Sequence, residues 1–408
     1  MVNYLKDWEE LALDEIYFFR RGSFPQPYGL DKWYGGLNSK PFIQVVDVLN
    51  NFKISNPTKN NISEQAKPYS VKAFPGQMVI TIQGSIGRVA IIEKESYLDR
   101  TLLLFEKEKI TINKEYAKFA IYKLFQEKKE MAPGAVIKTI TKNVLKDFKI
   151  FLPPLEEQQA IAETLMAFDE HIENLEELIA KKKMIRDGAV EDLMSGKTRL
   201  NGSDGEWETV QFQNVITPKA RIGWQGLKKD EYLKKGFVYL ISGTDFENGS
   251  ISLNKISYVK KERYSMDANI QVKEGDVLVT KDGTIGKIAR VPELNKKATL
   301  NSGVFVFRTN HLLEECFLYW ILRSSIFGKF IDDLSAGSTI KHLYQKDLKN
   351  FSFTMPVEIK EQKAIASILT AMDEEIEDLR QEKDKIEKIK AGAMDDLLTG
   401  KIRLVKEA

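Results

Sequence analysis

The chain has 408 residues, 43% apolar and 29% charged, with 61 Lys+Arg against 59 Asp+Glu and a formal net charge of +2. That length exceeds what one hydrophobic core serves, and the composition is ordinary for a globular protein of two to four domains. No run nears the roughly 20 apolar residues of a membrane span, the start MVNYLKDWEE does not read as a signal peptide, and the single Cys316 excludes an internal disulfide framework and fits a reducing cytoplasm.

In chain order, a Trp8-Glu9 strand leads to a loop, Arg20-Arg21-Gly22-Ser23-Phe24-Pro25-Gln26-Pro27-Tyr28-Gly29. Its mixture of Arg, Gln, aromatics and Gly suits base edges, since Arg bonds guanine bidentately and Gln bonds adenine. Arg20, Arg21, Ser23, Gln26 and Tyr28 are therefore candidate DNA contacts, although for any one of them a surface loop with a docked aromatic is the plainer reading. A strand then ends in Asp47 (residues 41–47), and residues 76–90 read as strand–loop–strand around Gly84-Ser85-Ile86-Gly87-Arg88. Glycine there bares backbone NH groups to phosphate, or supplies positive φ for a tight β-turn; the turn is the stronger reading, and Arg88 adds weight to phosphate. An apolar helix (Tyr116, Phe119, Ala120, Leu124) and a Gly134-Ala135-Val136-Ile137-Lys138 turn, with Lys138 a candidate phosphate contact, complete a mixed α/β domain over residues 1–154.

Pro153-Pro154 opens a helical segment, residues 155–200, with apolar residues at Ile161, Leu165, Phe168, Ile172, Leu175 and Ile179. Spacing that averages 3.5 residues predicts a coiled-coil seam on a helix of about 60 Å, stopped at Gly196. Residues 201–357 then repeat the first domain. Trp207-Glu208 matches Trp8-Glu9, GDVLVTKDGTIGKIA (275–289) matches GQMVITIQGSIGRVA (76–90), and Gly337-Ser338-Thr339-Ile340-Lys341 matches the earlier glycine turn. Here the candidates are Arg221, Trp224, Gln225, Gly283, Thr284, Lys287 and Lys341, beside Gly84 and Ser85 of the first copy. A second helical segment, 358–408, carries Ile365, Leu369, Met372, Ile376, Leu379, Ile386 and Ile389, and stops at Gly400.

The two helical segments align without a gap, 21 identities over the 43 residues from Gln158 and from Gln362. Such a repeat means two copies of one unit, alike in their helices and unlike over much of their globular parts. Because one chain supplies both helices, intramolecular antiparallel pairing is favoured over dimerisation with another copy. The expected architecture is two α/β domains related by a pseudo-two-fold and separated by the helix pair. Charge divides the same way: residues 1–154 carry +6 and 201–357 carry +4, while 155–200 carry −5 and 358–408 carry −3. Basic globular parts on acidic helices point the globular parts, and not the helices, at a polyanion.

Chemistry is harder to find. His171, His311 and His342 are scattered, so no metal cluster and no nucleophile–His–Asp set is expected. No Gly-x-x-x-x-Gly-Lys-[Ser/Thr] loop occurs. Glu-x-Lys pairs (Glu127/Lys129, Glu358/Lys360) are expected by chance in so charged a chain. The sequence reads as a recogniser without catalytic residues.

The frame Leu152-Pro153-Pro154-Leu155-Glu156-Glu157-Gln158-Gln159-Ala160-Ile161-Ala162, then Ser195-Gly196-Lys197-Thr198-Arg199-Leu200, recurs as Glu361-Gln362-Lys363-Ala364-Ile365-Ala366 and Thr399-Gly400-Lys401-Ile402-Arg403-Leu404. This resembles the DNA-specificity (S) subunit of type I restriction–modification systems over the whole chain; the second entry, Met355-Pro356-Val357-Glu358, departs in lacking the double proline. The resemblance implies a cytoplasmic, non-catalytic reader of a bipartite double-stranded DNA target, one half per globular domain, with the helix pair setting the gap. It also implies two modification (M) subunits and one or more restriction (R) subunits as partners, to which S-adenosylmethionine, ATP and Mg would belong. Two other readings stand beside it. One is a coiled-coil scaffold with no DNA role; the other is a fragment of, or a specificity half separated from, a methylase or nuclease.

Overall fold

The computed structural model describes residues 7–130, 148–222, 226–335 and 342–404. By contact the chain forms two compact units, Met1–Glu176 with Gln381–Ala408, and Glu177–Arg380. The dividing points fall inside the two long helices, Leu155–Met194 and Ile359–Leu398, and not at their ends. Each unit thus joins one globular segment to stretches of both helices.

The first unit holds a four-stranded antiparallel sheet in the order Tyr17–Arg21, Leu102–Glu108, Met78–Thr81, Val89–Ile91. A second sheet has the order Asn60–Ile62, Lys40–Ile43, Ser96–Leu98, Val71–Ala73, in which Lys40–Ile43 and Ser96–Leu98 run parallel. Side chains alternate between two cores. Ile80, Leu103 and Phe105 pack with Tyr116, Phe119 and Ile121 of the helix Lys114–Glu130. Val79, Leu102 and Leu104 pack with Ile43, Val71 and Leu98 of the second sheet. A strand covered on both faces has no solvent side, which is why residues 78–80 of the strand Met78–Thr81 read as an unbroken apolar run.

The second unit repeats this. Its sheets run Ile216–Ala220, Val304–Thr309, Val277–Thr280, Ile288–Arg290, and Ser257–Val259, Val238–Ile241, Ala298–Leu300, Gln271–Val272. Val277, Val279, Phe305 and Phe307 lie with Phe317, Trp320 and Ile321 of the helix Glu315–Arg323, while Leu278, Val304 and Val306 lie with Ile241, Val272 and Leu300. Both units are mixed α/β, as expected.

Within each unit the long helices run antiparallel. In the first, Glu176 pairs with Lys383 (3.0 Å) and Asp169 with Lys390; in the second, Lys182 pairs with Glu375 (2.6 Å) and Arg186 with Asp373. Arg186 and Lys390 occupy the same repeat position, as do Asp373 and Asp169. A charged pair repeated at one level of a seam fixes register, because slippage would strand it. Of the seam residues, Ile161, Leu165, Leu175, Ile179, Ile365, Leu369 and Ile376 are buried, and Phe168, Ile172, Met372, Leu379 and Ile386 are half-buried. Ile389 is a correction: it is 45% exposed. The contact stripe continues through Lys390, Met394 and Leu397, leaving Ile389 one residue, about 100°, off it.

The helix ends complete the globular cores. Met394, Leu397 and Leu398 join the first unit's core beside Ile161, Leu165 and Tyr116. Val190, Leu193 and Met194 join the second beside Ile365, Leu369 and Phe317. The repeated motif closes each arrangement. Arg403 donates to Glu157 through Nε (2.7 Å) and Nη2 (2.8 Å), and Trp8 Nε1 donates to the same carboxylate at 3.2 Å. Arg199 donates to Glu361 through Nε (2.9 Å) and Nη2 (3.0 Å), with Trp207 Nε1 at 3.2 Å. The buried amides of Gln158 and Gln362 tie each helix start to backbone, at Pro153 O and at Pro356 O and Leu312 O. Glycine ends both helices at positive φ, +71° at Gly196 and +70° at Gly400.

Candidate nucleic-acid interface

In each unit two short turns lie side by side, one after each of the two parallel strands. In the first unit they begin at Gln44 and Asp99; in the second at Ser242 and Asn301. Their backbones are tied alike. Asp99 N donates to Ile43 O (3.0 Å) and Asn301 N to Ile241 O (2.8 Å). Gln44 N donates to Asp47 Oδ2 and Ser242 N to Asp245 Oδ2, both at 2.8 Å. Burial raises the Asp245 carboxyl above its ordinary range, and the Ser242 hydrogen bonds oppose that.

The side chains on this shared frame differ. In the first unit Gln44 Nε2 donates to the Tyr28 hydroxyl (2.9 Å), which donates to Asp99 Oδ2 (3.1 Å), and Asn60 Nδ2 donates to Gln44 Oε1 (2.7 Å). Partial burial first, and then the charge of Asp99, push the Tyr28 hydroxyl above the usual tyrosine range, so it stays a donor. The Arg100 guanidinium lies over the Tyr28 ring, 5.1 Å from its centroid. In the second unit Tyr232 donates to Asn301 Oδ1 (3.4 Å), Ser302 Oγ donates to the same oxygen (3.1 Å), and the Ser242 and Thr244 hydroxyls share a hydrogen bond of 2.8 Å.

Arg21, expected at the bases, is exposed, and its Nε donates to the carbonyl of Arg100 at 2.7 Å. Arg221 is a correction. It is 3% exposed, with Nε on Leu300 O (3.0 Å) and Nη2 on Thr299 Oγ1 (3.3 Å), so it stands behind the turn and not at the surface. Loss of water, then the nearby charge of Arg263, lower its pKa. Arg20 is exposed, 3.7 Å from Glu106; Gln26 is exposed; Ser23 donates to Tyr69 O at 2.9 Å.

The Gly-x-x-Gly segments are tight turns closed by a threonine. Thr81 Oγ1 donates to Ser85 O (2.6 Å) and accepts from Arg88 N (2.9 Å); Thr280 Oγ1 does the same with Thr284 O (2.5 Å) and Lys287 N (2.9 Å). Gly84 and Gly283 share φ +71°. A Cβ on Gly87 would sit 3.1 Å from Phe125 and on Gly286 3.2 Å from Ile331, so the second glycine admits the packed helix. Ser85, Thr284 and Lys287 are exposed, whereas Arg88 is half-buried and donates to Val48 O (3.2 Å). Lys138, Trp224, Gln225 and Lys341 lie outside the described residues.

Residues 5–182 and 205–388 each match the family model for the type I restriction modification DNA specificity domain. The chain belongs to that family. Among its relatives, the MjaVIII specificity subunit of Methanocaldococcus jannaschii is 28% identical over 337 residues, 79% of this chain and 78% of the relative. The EcoBI specificity subunit of Escherichia coli is 23% identical over 345 residues, 80% and 71% of the two chains. The S subunit crystal structure from M. genitalium superposes with a TM-score of 0.59 at 16% identity, over 98% of both chains. A chain from a structural study of complex assembly and conformational transition of the type I R-M system superposes at 0.60 and 15% identity, over 96% of this chain and 98% of that one. At those identities the superpositions speak for the fold alone.

The side chains on these paired turns that the sequence reading does not single out are Gln44, Asn60, Asp99 and Arg100 in one unit, and Tyr232, Ser242, Thr244, Asn301 and Ser302 in the other. A signal was present. Each turn directly follows a strand the two copies share, and there Leu98-Asp99-Arg100 stands against Leu300-Asn301-Ser302. Among the described residues there is no group of three or more His, Cys, Asp and Glu arranged to hold a metal ion, and no helix long and apolar enough to cross a membrane.

Proposed function

We propose that this chain is the DNA-reading subunit of a type I restriction–modification complex, in which each globular domain reads one half of a bipartite double-stranded target and the helix pair sets the gap. The observation that carries this is the shared frame with unlike side chains: Gln44, Tyr28 and Arg100 in one unit, Ser242, Tyr232 and Asn301 in the other. Two readers on one scaffold suit an asymmetric target. Lysine and arginine on phosphates would supply affinity, and base contacts specificity.

The chain itself would be non-catalytic and work in the cytoplasm. Two modification subunits would bring S-adenosylmethionine, and restriction subunits ATP and Mg. Methylome sequencing of a host with and without this gene tests the proposal: a bipartite motif should vanish with the gene. Purified chain with its modification subunits should also shift duplex DNA with a steep salt dependence. A scaffold without a DNA role would do neither, and methyl transfer by the isolated chain would favour the enzyme-fragment reading.

A further inference from the structure

We infer that Arg100 and Gln44 read base edges in the first half-target, that Asn301 with the Ser242 and Thr244 hydroxyls does so in the second, and that Arg21 and Arg221 are positioning residues that hold these turns. The inference rests on the DNA-reading role proposed above and names the side chains that perform it.

Arg100 carries the argument. Its guanidinium lies over the Tyr28 ring, 5.1 Å from the centroid, it is exposed, and among the described residues no carboxylate is paired with it. A cation–π contact holds a guanidinium in place without spending its N–H donors on an acceptor, so its fork stays available to a ligand. That fork matches guanine O6 and N7. The Tyr28 ring is itself held, by Gln44 on one side of its hydroxyl and Asp99 on the other. Gln44 uses one donor and one acceptor internally, to Tyr28 and from Asn60, and keeps one of each. One donor and one acceptor on a single amide is what adenine N7 and N6 require. The corresponding positions in the second unit are Ser302 and Ser242, so no guanidinium stands there, and its reading set is an amide and hydroxyls.

Both turns are fastened from behind by a guanidinium near the end of the same strand. Arg21 Nε holds the carbonyl of Arg100, and Arg221 Nε holds that of Leu300, the residue before Asn301. Removing either frees a turn without removing a reading side chain. A reader whose backbone is loose discriminates less, because the wrong base no longer forces an unpaired group.

The test is methylome mapping of hosts carrying the complete system with Arg100→Ala, Arg100→Lys, Arg21→Ala or Arg221→Lys in the full chain. Thermal melting and co-purification with the modification subunits serve as folding controls. Arg100→Ala and Arg100→Lys should both relax one G·C position of the first half-target, with discrimination lost about 5- to 150-fold and the second half unchanged. Lysine keeps the charge and loses the fork, so a fall in methylation by Arg100→Ala that leaves every base preference unaltered, and that Arg100→Lys restores, would mark a phosphate contact and overturn the inference. Arg21→Ala should relax only the first half and Arg221→Lys only the second. A uniform fall in methylation with unaltered bases would reduce both to structural roles and overturn that part. If the wild-type system showed no bipartite motif depending on this gene, the DNA-reading function itself would fail, an outcome distinct from all of these.

Discussion

Removing Arg403 should loosen the first compact unit and spare the second. The Glu157 side chain is fully buried, and its carboxylate takes donors from Arg403 Nε and Nη2, Leu404 N (3.2 Å) and Trp8 Nε1. Arg403→Ala removes the two short bonds and the counter-charge together, leaving a buried carboxylate with two long ones. Breaking a buried pair from one side costs about 3–5 kcal/mol. For a unit of roughly 200 residues, at about 2–4 °C per kcal/mol, that is a fall of roughly 6–20 °C in Tm. Calorimetry should resolve the shift. Hydrogen exchange should place it in residues 148–168 and around Tyr116, whose core Met394, Leu397 and Leu398 complete. Arg199→Ala should do the same to the second unit, and less severely, because Arg199 is 33% exposed against 20% for Arg403. Equal loosening of both units by Arg403→Ala, or a loss below about 1 kcal/mol, would refute the view that the second helix's end is part of the first unit's core.

Inserting four residues, about one turn, into the middle of one long helix should change the methylated gap and leave the half-target bases unchanged; altered bases at an unchanged gap, seen by methylation mapping, would contradict the division between readers and spacer. A chain truncated after Leu200 should dimerise, since the repeat lets Val190, Leu193, Met194 and Arg199 of a second copy stand where Met394, Leu397, Leu398 and Arg403 stood. With modification subunits it should methylate a palindrome of the first half-target, and a monomer by sedimentation would rule this out. Acid should weaken the first unit through Asp395, which Lys123 and then Lys401 depress to about 2. A carboxylate whose folded pKa lies below its unfolded value near 4 contributes stability above pH 4 and loses it as pH falls toward 2. The group is largely exposed, so the effect is small. Asp395→Asn should flatten the acid limb of an unfolding curve between those values, and an unchanged limb would count against the pairing.

The sequence by itself determined the repeat, the two mixed α/β domains, the helices with their proline starts and glycine stops, and the family. Those features are carried by local periodicity and by near-identical frames, and periodicity survives without knowledge of what it packs against. It also pointed to most of the seam, because 3.5-residue spacing depends on one helix alone. Tertiary structure decided the rest. Nothing along the chain says that Arg403 meets Glu157, or that Met394 lies in the core of a domain whose strands are nearly 300 residues earlier. Those contacts depend on antiparallel return of the second helix. Arg221 reads as a surface arginine in sequence because residues 219–226 mix Lys, Arg, Gln, Trp and Gly as an exposed loop does. In the fold it is buried against the carbonyl of Leu300 and the hydroxyl of Thr299, which the neighbouring strand Ala298–Leu300 brings to it. Arg100 passed unnoticed for the same reason. The contact that singles it out is with the Tyr28 ring, 72 positions away in the chain and 5.1 Å away in the fold.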